Sequence, residues 1–350
     1  MFGMSPLAMG FPGPEPDAVE AAGRQEEGTR VDRRHFVADT LGTAAGLTLG
    51  PSTAIGTPHI TELREGLRSL YTLDDAYGGD AVRSLAIRHL RRIRRIINNG
   101  TYPDTIGRQL QLLAGETAEQ CAWLFYDADD QEAARRYWGE ALTAATVLGD
   151  DGLEILVLAS LSMQAVHENR PRDGYDLARA AYHRAAPLGS PTLLSLIAAR
   201  EARALARMRD HRAARGRLAE SMRLADRPGR PAPEWAAFHG HAELDYTHGL
   251  LNAEAGHHRA AVPFLRAALA HQNRTYGRNR ALYRLTLARS LVQAEDVEEG
   301  AAEAVASMEH LAEVESGRVL RRLAEVRDLL TGVDTASARE SAEALADYVR

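Results

Sequence analysis

LASLSMQAVHENRPRDGYDLARAA, residues 158–181, decides the fold. Leu158, Leu161, Ser162 and Ala165 recur at helical spacing on one face. After a polar turn, Gly174, Ala178 and Ala181 do the same on a second helix. The pattern recurs about every 40 residues. An earlier copy has Ala118, Cys121, Ala122 and Phe125, then Ala134, Trp138 and Ala141. A later one has Ala198, Ala202 and Leu205, then Ala214, Leu218 and Ser221. A fourth has Gly249, then Ala261, Leu265 and Ala268. The fifth has Leu287, Ala288 and Leu291, then Gly300, Ala304 and Ser307.

In every copy the small residue of the first helix stands twelve positions before that of the second. Antiparallel helices approach closely only where both lack bulk, so a fixed offset through a short turn places the two opposite each other. The pattern resembles the tetratricopeptide repeat, whose usual period is about 34 residues. The expected fold is all-α: a right-handed solenoid of helical hairpins with a concave face suited to holding a ligand.

The chain has 350 residues, 26% of them charged, and a net charge of -6. Such a balance fits one large repeat domain with a tail and does not favour nucleic acid as the main partner. No apolar run is long enough to span a bilayer. The single cysteine, Cys121, rules out an internal disulfide and reads as a small core residue. All 42 basic residues are arginine. Arginine cannot form a Schiff base, so lysine-dependent pyridoxal chemistry, a Walker-A phosphate loop and a kinase site are excluded.

Residues 1–58 read as a disordered tail and linker. Pro12, Pro14 and Pro16 forbid a helix there, and Pro51 and Pro58 mark the linker. The repeat domain occupies 59–350: an entry hairpin over 60–100, five repeats over about 103–312, and capping helices over 316–349. The caps cover the apolar surface at the end of the stack. No strand pattern is present.

Several features bear on chemistry. Arg33-Arg34-His35-Phe36, followed by the apolar stretch Val37 to Leu49, is similar to a twin-arginine export signal. However, Asp39 interrupts the apolar core and the residues before the arginines are acidic, so a linker is the favoured reading and export the alternative. The helix carrying Arg83, Arg88, Arg91, Arg92, Arg94 and Arg95 reads as a solvated face rather than a phosphate-binding patch. Without interleaved aromatics it offers no stacking platform. His239, His241, His248, His257 and His258 lack the i, i+3 or i, i+4 pairing that a metal site needs. No catalytic triad or cofactor motif is present. The expectation is therefore a non-enzymatic protein with no metal and no cofactor.

The first helix of each repeat should line the concave face. Counting from the small positions gives Glu116, Glu119, Trp123 and Tyr126 from the first repeat, and Met163 and His167 from the second. Arg203 and Arg207 follow from the third, Glu243, Tyr246 and Leu250 from the fourth, and Arg289 and Gln293 from the fifth. Aromatics with flanking Arg and Glu suit an extended peptide or a protein segment, because arginine clamps a carboxylate through two hydrogen bonds.

Five stretches carry a narrower resemblance: Asp32-Arg33-Arg34-His35-Phe36, Leu73-Asp74-Asp75-Ala76-Tyr77-Gly78-Gly79, Trp123-Leu124-Phe125-Tyr126-Asp127, Pro233-Glu234-Trp235 and Arg318-Val319-Leu320-Arg321-Arg322-Leu323. Together they resemble the tetratricopeptide C-terminal half of lambda-repressor-like (XRE-type) transcriptional regulators of high-GC Gram-positive bacteria. In that family the arginine pair is a linker following a DNA-binding domain. The Pro- and Gly-rich residues before it here do not read as a helix-turn-helix. What the resemblance implies is a cytoplasmic sensor or partner-binding half that takes a protein or linear peptide, does not bind DNA directly, and leaves a homodimer open.

Overall fold

A computed structural model describes residues 54–76, 79–236, 238–272, 277–311 and 316–348. The tail with its Arg33-Arg34 motif and the stretch from Val37 to Leu49 lie outside the described residues, as do Tyr77 and Gly78. Fourteen α-helices follow one another among the described residues. The one strand-like contact among them is an isolated bridge between Ala54 and Thr101. The helices are α1 (Thr57–Ala76), α2 (Gly79–Asn99), α3 (Asp104–Asp127), α4 (Gln131–Leu148), α5 (Asp151–His167) and α6 (Pro171–Ala185). Then come α7 (Pro191–Arg207), α8 (His211–Ala225), α9 (His241–Glu254), α10 (His258–His271), α11 (Gly277–Gln293), α12 (Val297–Ala306), α13 (Gly317–Thr331) and α14 (Ala336–Ala346).

The five hairpins α3/α4 to α11/α12 close where the small residues meet. Ser162 Oγ donates to the Gly174 carbonyl at 2.6 Å. A β-carbon on Gly174 would lie 2.7 Å from Val166 Cγ2 and 2.9 Å from the Ser162 carbonyl oxygen. One on Gly249 would lie 2.5 Å from Leu265 Cδ2, and one on Gly300 would lie 2.6 Å from Val292 Cγ2. The offset of twelve is thus a packing contact: helices this close accept only Gly, Ala or Ser.

The turn inside each hairpin is equally regular. Asp129, Asn169, Arg209, Gly256 and Glu295 all have positive φ, between 61° and 78°, and each stands seven residues after its small position. The next residue caps the second helix in two copies: Asp130 accepts from Ala133 N–H and Asp210 from Ala213 N–H, both at 3.0 Å. Between hairpins, Gly149 and Gly189 end α4 and the short 3₁₀ turn after α6 in the left-handed conformation. Asp150 and Ser190 then cap α5 and α7.

Two segments depart from the repeat. The long connector between α8 and α9 holds a 3₁₀ turn, Glu234–Ala236. Trp235 and Phe238 pack there against apolar residues of the first three hairpins. His239 is buried, with Nε2 2.8 Å from Ser195 Oγ. At the C-terminus, α13 and α14 cover α11 and α12 through Val319, Leu323, Val326, Leu330, Ala338 and Leu345.

The caps also reach the other end of the array. Arg318 bonds Asp127 at 2.7 Å, and Ser316 Oγ donates to the same carboxylate at 3.1 Å. Arg278 bridges Asp127 at 3.1 Å and Asp74 at 3.0 Å. Gly317 approaches the Ala128 carbonyl so closely that a β-carbon would sit 2.5 Å from its oxygen. The stack therefore closes on itself, with its last hairpin and cap joined to its first.

Candidate binding cavity

Closure borders a half-open cavity of about 920 Å³ on the inner side. Tyr126 of α3 lines it, with Met163, Val166 and His167 of α5 and Arg200, Arg203 and Arg207 of α7. Leu250 and Glu254 of α9, Thr286 and Arg289 of α11, and Arg321, Arg322 and Glu325 of α13 also line it, with Asn169 and Arg209 of two hairpin turns and His258 at the start of α10. The first helix of each repeat faces inward because its partner helix takes the outer layer. Residues three, four and seven apart along α7 then share one face, as Arg200, Arg203 and Arg207 do.

Seven residues expected from the sequence line this cavity: Tyr126, Met163, His167, Arg203, Arg207, Leu250 and Arg289. Glu243 and Tyr246 stand in a bonded group at its margin. Tyr246 stacks on Tyr283 with centroids 4.0 Å apart, and its hydroxyl lies 3.1 Å from Thr286 Oγ1. Tyr283 donates to Glu243. Glu116, Glu119, Trp123 and Gln293 are not among the lining residues. Glu119 is buried between helices, within 3.5 Å of Trp138 Nε1 and 3.4 Å of Ser160 Oγ. Trp123 is buried and lies under the Arg318 guanidinium, 5.0 Å from its ring centroid. Burial raises the Glu116 carboxyl above its usual range, with Arg64 opposing. Gln293 is exposed near its hairpin turn.

Arg200, Glu254, Arg321, Arg322 and Glu325 also line the wall, beyond the positions that the repeat register indicates. Arg200 had a signal, since it stands on the Arg203–Arg207 stripe. The α13 residues had none, because only closure brings them in.

The electrostatics are strongly one-sided. Seven arginines and two glutamates line the cavity. Arg203 pairs with Glu254 at 2.7 Å and Arg322 with Glu325 at 2.8 Å. Burial lowers the pKa of Arg200, and burial with Arg322 lowers that of Arg289. His167 is also lowered, first by burial and then by Arg321, while its bond to Asp129 opposes them. At the cavity's edge, burial alone would raise Asp127, but Arg278 and Arg318 outweigh it and hold its carboxyl below the ordinary range. Arg318 stacks over Tyr126 as well, 4.8 Å from its centroid.

Elsewhere the residues have local partners. Burial pushes the Cys121 thiol up to about 12, leaving no thiolate for chemistry near neutral pH. On α2, Arg92 bonds Glu62 at 2.7 Å, Arg94 pairs with Glu140, and Arg83 lies over Phe125. His248 stacks on Phe264 with centroids 3.6 Å apart. Among the described residues no cluster of three His, Cys, Asp or Glu is placed to hold a metal ion, and no helix is long and apolar enough to cross a membrane.

No protein-family model matches the chain, and no curated protein matches it. Among solved structures, the chain is similar to BtubC (BKLC) from P. vanneervenii, with 17% identity and a TM-score of 0.43. That alignment covers 78% of this chain and 94% of that one. It is also similar to a Rap protein solved in complex with competence and sporulation factor. There the identity is 13% and the TM-score 0.45, covering 83% of this chain and 97% of that one.

Proposed function

We propose that this chain is a non-enzymatic regulatory receptor that holds a linear peptide, or an extended segment of a partner protein, in the inner cavity. The observation that carries the reading is the cavity itself: about 920 Å³, walled by α3, α5, α7, α9, α11 and α13. That is near the upper end of the about 300–1,000 Å³ typical of ligand pockets. Apolar side chains such as Met163, Val166 and Leu250 alternate there with guanidinium groups. Such a wall suits a chain with both apolar and polar side groups.

The resemblance to the sensor half of XRE-type regulators supports a role in transcription or development, acting in the cytoplasm. Three of the resembling stretches supply Asp74, Asp127 and Arg318, which meet in the closure. In this reading the closed ring is the working form. Occupancy would act by shifting the balance between closed and opened arrangements, which requires the ligand to bind one of them better.

The test is selection of random linear peptides displayed on phage against the full-length protein. Enriched peptides should bind wild type and lose about tenfold or more in affinity to Met163→Trp or Leu250→Trp, which fill the cavity. Failure to enrich any peptide, or binding indifferent to both substitutions, would remove the receptor reading.

A further inference from the structure

We propose that the cavity's ligand is an acidic peptide, a short segment whose carboxylates are clamped by the arginines of α7, α11 and α13. This rests on the peptide-receptor reading and names the chemistry of what that receptor takes. The cavity wall carries seven arginines against two glutamates. Both glutamates are already engaged, Glu254 by Arg203 and Glu325 by Arg322. Arg321 also pairs with Asp129 at 3.4 Å and Arg207 donates to Asn169 at 3.2 Å, yet the guanidinium groups still outnumber the carboxylates that face them.

Arg289 makes no hydrogen bond or ion pair among the described residues. Its setting disfavours its charge, through burial and the neighbouring Arg322, with Glu325 and Glu254 opposing but not outweighing them. Neighbouring like charges repel, and Arg200 and Arg289 have lost water while Arg207, Arg209 and Arg321 remain exposed, so an entering anion relieves the repulsion and pairs the two desolvated guanidinium groups. The planar guanidinium matches a carboxylate through two parallel hydrogen bonds. Six of the arginines come from three helices around one space, and the seventh, Arg209, from the turn after α7. They would grip carboxylates spaced along a chain rather than one compact anion.

A single-stranded nucleic acid is the other long anion to weigh. It needs successive open aromatic faces on which to stack bases. Tyr126 is the aromatic ring of Phe, Tyr or Trp type in the wall, and Arg318 already lies over it. The remaining wall of Met163, Val166 and Leu250 suits aliphatic side chains between the acidic ones.

The experiment uses the full-length protein and the selected peptides. The enriched sequences should be rich in Asp and Glu. Their synthetic Glu→Gln and Asp→Asn versions should bind about tenfold or more weaker, as should the parent peptides to Arg200→Gln and Arg289→Gln. Arg95→Gln, exposed on α2, should leave affinity within a factor of about two. Thermal unfolding of each variant checks that the fold persists. Neutral or basic enriched peptides would overturn the acidic-ligand inference and leave the receptor reading standing. So would equal losses with Arg95→Gln, or displacement of the peptide by oligo-dT or citrate. No enrichment at all would overturn both.

Discussion

Gly174 has no room for a β-carbon, and that fact tests the packing argument directly. Gly174→Ala should destabilise by about 1–3 kcal/mol, because the Ser162 backbone cannot yield as a side chain can. Gly139 sits in α4 with nothing within 4 Å of its β-position. Gly139→Ala should stabilise by up to about 1 kcal/mol. Urea unfolding of the pair measures both, and equal effects would refute the close approach.

A second residue-scale prediction concerns pH. Burial lowers His239 to about 3, and burial lowers His89 to about 4 despite its bond to the Leu63 carbonyl. In the unfolded chain each titrates near 6.5. Between those values the unfolded state binds more protons. The stability these residues confer is therefore full above about 6.5 and declines as pH falls through the window. The slope is at most about 1.4 kcal/mol per pH unit per residue. Denaturation midpoints from pH 7 to 4 should fall, and His239→Gln should flatten the curve. An unchanged slope would contradict the buried neutral imidazole. The small residues were legible in the sequence because their spacing is fixed by contact. His239 was not, because its partner Ser195 lies 44 residues away.

At the scale of the element, the hairpin turn needs a left-handed residue in every copy, yet only Gly256 is a glycine. Asp129 and Asn169 belong to the types that tolerate this conformation; Arg209 and Glu295 do not. Replacing Glu295, which is exposed, by glycine should gain up to about 1 kcal/mol, read as a shift in denaturation midpoint. A loss would mean that Glu295 makes a stabilising contact outweighing its strained backbone. The turn register was hidden in the sequence because four different side chains occupy it. The hairpins themselves were legible, as were the entry and capping helices, whose apolar periodicity is set by burial on one face. The long connector was visible only as an irregular spacing between the third and fourth copies. Its docking through Trp235 and Phe238 is a tertiary choice.

The closure belongs to the whole molecule, and it explains where reading the groove from sequence ran out. Met163 and His167 of α5 and Arg203 and Arg207 of α7 reach the cavity, whereas Trp123 lies beneath Arg318, which only closure brings there. No local pattern announces that residues 204 positions apart, Asp74 and Arg278, will meet. Asp127 holds this junction. Asp127→Asn leaves Arg318 without its charge partner in a buried setting and should cost about 3–5 kcal/mol. Small-angle scattering should show a larger radius of gyration for the variant. An unchanged radius and midpoint would mean that the ring closes without the ionic cluster.

A ligand held in the arginine-rich cavity must touch the side chains that line it. The most direct measurement is site-specific photo-crosslinking with a small aliphatic diazirine amino acid, close in size to the residue it replaces, placed at Met163, at Leu250 or at Val147, which is 77% exposed, with a selected peptide bound. The account predicts peptide adducts at Met163 and Leu250 and none at Val147. Adducts at Val147, with none at the two cavity positions, would contradict it.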